Sequence, residues 1–189
     1  MDPKVLVAII VVLAIIVIAV LVITRRRQRS THLKHQFGPE YERTLQQQGN
    51  AAKAEAVLAE REVRVHKFTI RELPATERAA YADEWAAVQR RFVDDPSMAV
   101  SEADRLVNRV MNARGYPMGD FDQRADDISV NYPGVVQNYR SAREIVVRHS
   151  SGRASTEDLR QAMVYYRSLF DELLGAPAVA DPAVLRRAS

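Results

Sequence analysis

The feature that most constrains this chain is an uninterrupted apolar run near its amino terminus. Residues 5–23 are nineteen consecutive Val, Leu, Ile or Ala residues, and sixteen of them are Val, Leu or Ile. As an α-helix the run would extend roughly 28 Å, at about 1.5 Å per residue, which matches the hydrocarbon core of a bilayer. At roughly 0.4 kcal/mol for each Val, Leu or Ile, insertion into lipid is favoured by about 6 kcal/mol. The sequence therefore predicts one transmembrane anchor within residues 1–24.

The charges that flank the run predict its orientation. Only Lys4 and the terminal amine precede it, whereas four arginines follow closely: Arg25, Arg26, Arg27 and Arg29. Because basic residues stay on the cytoplasmic side, we expect the amino terminus outside and the rest of the chain inside. A cleaved signal peptide would instead carry its charges before a shorter apolar core and a small-residue cleavage site after it. Export of the helical domain is nevertheless an alternative that the sequence leaves open.

Composition limits what the remaining chain can be. There are 27 Lys and Arg residues against 24 Asp and Glu, so the formal net charge is only +3, and no nucleic-acid partner is expected. The chain has no cysteine, so disulfides and thiolate metal sites are excluded. Residues 25–73 are expected to form charged juxtamembrane helices and a connector, interrupted at Gly38 and Gly49. Residues 74–175 are expected to form one helical domain, and residues 176–189, rich in Pro and Ala, a disordered tail.

Helical periodicity predicts four amphipathic helices within residues 74–175. The first carries a stripe at spacings of four, three and four, made of Tyr81, Trp85, Val88 and Phe92. Asp95 and Pro96 have the order of an N-cap and a first helical residue, and Ser155 with Asp158 has the spacing of a capping box. Similar stripes precede Gly115, follow Tyr132 and end before Gly175. The predicted fold class is all-α: one transmembrane helix followed by a helical bundle with up-and-down connections.

The sequence contains no motif that carries chemistry. Its seven glycines form no phosphate-binding array, and His32 and His35 lack a nearby carboxylate to complete a metal site. Asp126 and Asp127 lie in the most acidic stretch, residues 119–127, which we interpret as a solvated helix face. Aromatic residues at helical spacing are interpreted as core. We therefore expect no catalytic residue, no cofactor and no metal.

Two aromatic-proline pairs stand apart from the helical stripes. Tyr116-Pro117 and Tyr132-Pro133 bracket a loop-rich stretch with a short helix that begins near Asp120. Loop aromatics next to rigid prolines are candidates for contact with a partner protein, although they could equally cover the end of the bundle.

Four segments carry a resemblance to known sequences. They are HQFGPEYERT (35–44), RRFVDDP (90–96), EADRLVNRVMNARGYP (102–117) and DLRQAMVYYRSLFDELLG (158–175). On these segments the chain resembles a family of uncharacterised bacterial proteins with an N-terminal membrane helix and a helical domain. The resemblance implies a bacterial plasma-membrane location and no known activity, cofactor or catalytic residue.

These observations favour a membrane-tethered interaction or scaffold module that contacts the lipid bilayer and a protein partner. An enzyme or ligand-binding bundle with a dispersed site remains an alternative, since sequence spacing cannot reveal such a site.

Overall fold

The structure, a computed structural model, describes the backbone of residues 3–175. The side chains of residues 3–11, 14 and 26 lie outside this description, as do residues 1–2 and 176–189. The predicted disordered tail therefore falls entirely outside the described residues.

The described chain is helical, with short connections and no strand between residues 3 and 175. Its helices are α1 (Pro3–Phe37), α2 (Pro39–Gln48), α3 (Ala51–Val65), α4 (Ala75–Asp94), α5 (Pro96–Ala113), α6 (Phe121–Asn131), α7 (Val136–Ser150) and α8 (Thr156–Leu174). The all-α prediction is confirmed.

The chain divides into two compact units, Met1–Ala59 and Glu60–Ser189. In the first unit α1 continues through the basic residues without a break and ends at Phe37, directly before Gly38, whose φ is +46°. Gly49, in the left-handed conformation, closes α2. The apolar residues buried here are Leu33, Phe37, Tyr41, Ala54, Leu58 and Ala59. Both predicted glycine breaks are therefore present.

The second unit is built around a helical bundle. Helix α4 packs on α5, α5 on α8, α8 on α7, and the short α6 on α7. The predicted stripes face this core: Trp85 and Val88 are buried, while Tyr81 and Phe92 pack against its edge. Trp85 stacks on Phe170 with 4.7 Å between ring centroids. The bundle prediction is confirmed.

Local caps fix where the bundle helices begin. The Asp95 carboxylate accepts a hydrogen bond from the Met98 amide at 2.9 Å, and Asp120 accepts one from Gln123 at 2.8 Å. The Ser155 hydroxyl accepts from the Asp158 amide, and the Asp158 carboxylate accepts from the Ser155 amide. These side chains satisfy amides that have no partner within the helix, so the predicted starts are confirmed.

The structure does not support the predicted transmembrane helix. Across the described part of the chain, no helix is both long enough and apolar enough to cross a membrane. Part of the predicted segment, residues 5–11 and 14, has side chains outside the described set.

Candidate functional site

The structure brings the two predicted tyrosines together. Tyr116 follows α5 and Tyr132 follows α6, and both line one groove of about 460 Å³. We call it the tyrosine groove; its lining residues are Val65, His66, Phe68, Ile70, Arg114, Tyr116, Val130, Asn131 and Tyr132. The prolines predicted beside them, Pro117 and Pro133, do not line it; Pro117 is exposed and Pro133 half-buried.

A glycine makes the turn that places Tyr116. Gly115 has φ +96°, and its amide bonds to the Asn112 carbonyl at 2.9 Å while the Tyr116 amide bonds to the Met111 carbonyl at 3.1 Å. A Cβ on Gly115 would lie 2.4 Å from the Thr69 carbonyl oxygen. Only glycine tolerates both the positive φ and the close approach of the Thr69 carbonyl. Gly115 therefore lets the chain turn back across the end of α5.

Tyr116 is a fixed wall of the groove. It is buried, and its hydroxyl accepts a hydrogen bond from the Asn131 side-chain amide at 2.6 Å. Burial raises the pKa of Tyr116 to about 12, against the opposing effect of the Asn131 hydrogen bond. The phenol is therefore neutral throughout the physiological pH range.

Arg114 holds Tyr132 in place. Its guanidinium lies over the Tyr132 ring, 5.6 Å from the centroid, and donates to the Tyr132 hydroxyl. The same group donates to the Leu173 carbonyl at 2.8 Å and to the Arg71 carbonyl at 3.2 Å. Burial raises the pKa of Tyr132, and the positive charge of Arg114 opposes that rise. One side chain thus ties the groove to α8 and to the segment before α4.

The Arg114–Tyr132 pair also lines a second groove, of about 320 Å³. We call it the glutamate groove; it is lined by Glu72, Leu73, Arg78, Arg114, Tyr132, Glu172, Leu174 and Gly175. Sequence reasoning missed Arg114, although its position directly before Gly115 and Tyr116 was the one available signal. Its three acceptors lie 18, 43 and 59 positions away along the chain, which no local pattern displays.

The acidic stretch contains a buried ion cluster rather than a uniformly solvated face. Asp127 is 1% exposed; its Oδ1 accepts from Arg64 Nε at 2.8 Å and from the Gln123 amide at 3.0 Å. Asp126 Oδ1 lies 2.9 Å from Arg61 and 3.1 Å from Arg140. The interpretation as a solvated face is therefore wrong at Asp127. The reason is that α3 and α7 supply guanidinium groups that compensate the burial of the carboxylates.

A second polar chain crosses the bundle core. The Tyr166 hydroxyl donates to Asp104 at 3.0 Å, Asn108 donates to the same carboxylate at 3.2 Å, and the Tyr139 hydroxyl donates to Asn108 at 3.3 Å. Burial and the nearby Asp104 charge raise the pKa of Tyr166. These hydrogen bonds link α5, α7 and α8 and help to order the core.

The remaining predictions concern basic residues and metals. Arg25, Arg27 and Arg29 are exposed on α1, and the Arg26 side chain is not among those described. Over the described residues, no three histidine or acidic side chains are grouped to hold a metal ion.

Comparison with known proteins identifies no relative. No family model, no curated protein and no solved structure matches this chain. The resemblance to an uncharacterised bacterial family with an N-terminal membrane helix is therefore wrong. Its four segments consist largely of caps, glycine turns and helical stripes. Unrelated helical proteins share these features because they are general requirements for starting, ending and burying a helix.

Proposed function

We propose that this chain is a membrane-tethered helical module that binds a protein partner through the tyrosine groove. The observation that carries the proposal is the convergence of Tyr116 and Tyr132 on one groove although 16 positions separate them in sequence. Tyrosine and arginine are enriched at the energetically important centres of protein interfaces, because they combine apolar area with a polar end. Arg114 holds Tyr132 before any partner arrives, which lowers the entropy lost on binding.

The tether is proposed from the amino-terminal part of α1. Its described large apolar side chains between Val12 and Ile23 are 46–60% exposed, an apolar surface too extensive to remain in water. Exposed Arg25, Arg27 and Arg29 follow on the same helix. We propose that this part of α1 enters the bilayer, with the amino terminus outside the plasma membrane and the bundle in the cytoplasm.

Site-specific photo-crosslinking tests the groove. A photoreactive phenylalanine analogue at position 132 is expected to capture a discrete partner band from cells of the source organism. The same analogue at Val164, which is exposed on α8 and lines neither groove, is the matched control. Equal capture from both positions, or from neither, would contradict the proposed interface.

Membrane attachment and orientation are tested separately. The full chain is expected to stay in the membrane pellet after an alkaline carbonate wash, and alkaline phosphatase fused to its carboxyl terminus is expected to be inactive. An active fusion would favour the exported alternative, and release by carbonate would remove the tether from the proposal. A ligand-binding or enzymatic bundle remains a prediction that a thermal-shift screen with metabolites would test.

A further inference from the structure

A third groove lies between α4 and α5 and shares no residue with the tyrosine groove or the glutamate groove. Its volume is about 580 Å³, which falls in the range of about 300 to 1,000 Å³ that is typical of small-molecule sites. We call it the arginine groove; its charged lining residues are Glu84, Arg91, Glu102, Arg105 and Arg109. Three arginines against two glutamates give these side chains a formal net charge of +1.

Two ion pairs bridge α4 and α5 across this groove. Arg91 on α4 lies 2.6 Å from Glu102 on α5, and Glu84 on α4 pairs with Arg109 on α5. The two members on each helix are seven residues apart, which is about two helical turns. The helices are therefore antiparallel, and the two bridges bound a central space that is about two turns long on both of them.

The space between the bridges contains a guanidinium but no carboxylate. Arg105 lies midway between the bridges on α5, and Ala87 and Val88 lie midway on α4. Arg105 Nε donates to the Ser101 carbonyl at 3.2 Å, and the guanidinium forms no ion pair with any side chain that the structure describes. Its two Nη groups therefore stand beside an apolar surface that consists of the Ala87 methyl group and Val88, which is 7% exposed.

We infer that the arginine groove binds a small organic carboxylate, with its anionic end on Arg105 and its apolar part on Ala87 and Val88. The arginines at both ends of the groove have a glutamate across the helix pair, and only the central one lacks it. A ligand carboxylate would supply the missing partner, and the planar guanidinium matches its two oxygens.

The charge and the shape of the groove specify this ligand class. One negative charge neutralises the net charge of +1, whereas a phosphate dianion would exceed it and would also be repelled by Glu84 and Glu102. The bridges bound the space on both sides, which suits a compact molecule rather than a long peptide. The site is separate from the tyrosine groove, so the inference does not depend on the proposed protein partner.

The probe is 4-phenylbutanoate, a soluble carboxylate with an apolar ring, titrated into the full-length protein in detergent and followed by ligand-observed NMR. Detergent without protein corrects for partition of the probe into micelles. We expect saturable binding in the low millimolar range or tighter, as suits a ligand of this size. The neutral 4-phenylbutanamide is expected to bind at least about tenfold more weakly, because it cannot form a charge-assisted pair with Arg105. The dianion 3-phenylpropyl phosphate is also expected to bind more weakly than the carboxylate.

Two variants change the ion balance in the centre of the groove. Arg105→Gln removes the guanidinium and is expected to weaken 4-phenylbutanoate by at least about tenfold. Ala87→Glu places a carboxylate opposite Arg105 and is expected to weaken the probe to a similar extent, because the protein then supplies the missing partner itself. Arg160→Gln is the matched control, since Arg160 is exposed on α8 and lines none of the three grooves. Thermal denaturation checks that all three variants remain folded.

The outcomes bear on this groove alone. Absence of saturable binding, or binding that Arg105→Gln weakens no more than Arg160→Gln does, would overturn the inference. Tighter binding of the phosphate than of the carboxylate would overturn the assigned ligand class. None of these results changes the crosslinking expected at Tyr132, so the inference and the proposed function fail separately.

Discussion

Trp85 shows how a single core residue is held. It is 3% exposed and stacks on Phe170, while its indole nitrogen has no hydrogen-bond partner among the described residues. We predict that Trp85→Ala lowers the free energy of unfolding by about 3 to 5 kcal/mol, because the removed ring leaves a cavity. Trp85→Phe should cost much less, since it keeps an aromatic ring and removes an unsatisfied donor. Urea denaturation measures both; a cost below about 1 kcal/mol for Trp85→Ala would contradict the core assignment.

Tyr116 should make the protein sensitive to alkali. Its pKa rises from 10.0 to about 12 on folding because the phenol is buried. Because the pKa is higher in the folded state, the unfolded chain loses the proton first. The stabilisation from the buried neutral phenol is therefore fully present below pH 10 and is lost as the pH rises towards about 12. The loss from this group alone amounts to about 2 to 3 kcal/mol. Tyr116→Phe should show a smaller difference in stability between pH 9 and pH 11; an unchanged difference would contradict this account.

At the scale of elements, Gly115 couples the end of α5 to the segment before α4. Gly115→Ala would force a side chain into a positive-φ backbone and against the Thr69 carbonyl. Gly152→Ala is the matched control, because Gly152 has φ +70° but nothing within 4 Å of a new Cβ. We predict that the control lowers the free energy of unfolding by about 1 kcal/mol and that Gly115→Ala lowers it by at least about 2 kcal/mol more. Chemical denaturation measures both values. Equal costs would show that the close approach to Thr69 is unimportant.

The helices were predictable because their signals are local. Asp95 with Pro96, the Ser155 capping box and the Trp85 stripe each lie within a few residues, and the structure has all three. The groove was predictable only in part: the tyrosines stood out as loop aromatics, but their convergence depends on Arg114, whose acceptors are far along the chain. Asp127 was misread for the same reason, since its partner Arg64 lies 63 positions away.

The Arg64–Asp127 ion pair joins the end of α3 to α6. Asp127→Ala leaves Arg64 without its carboxylate, but the Arg64 side chain is 31% exposed and water can solvate part of it. We therefore predict a loss of about 2 to 3 kcal/mol, below the range for a fully buried pair. Asp171→Ala, which breaks an exposed i,i+4 pair with Arg167, should cost less than about 1 kcal/mol. Similar costs for the two variants would contradict the burial of the Asp127 pair.

At the scale of the whole molecule, the bundle core is complete within the second unit. Every buried residue of that core lies between Leu73 and Leu173, whereas the exposed apolar surface of α1 belongs to the first unit. If α1 inserts into lipid as proposed, membrane attachment and the folded core should therefore be separable by truncation.

We predict that a fragment comprising residues 60–189 unfolds cooperatively in calorimetry and remains in the supernatant without detergent, while the full chain sediments with membranes. A shorter fragment, residues 73–189, keeps the buried core residues from Leu73 to Leu173 but lacks Arg61 and Arg64. Asp127, 1% exposed in the full chain, would then lose its guanidinium partner, which costs up to about 3 to 5 kcal/mol, less where water enters in place of α3. The shorter fragment should therefore unfold at a clearly lower temperature, and adding Asp127→Asn to it should restore part of the difference. Equal midpoints for the two fragments would mean that α3 contributes nothing to the stability of the bundle.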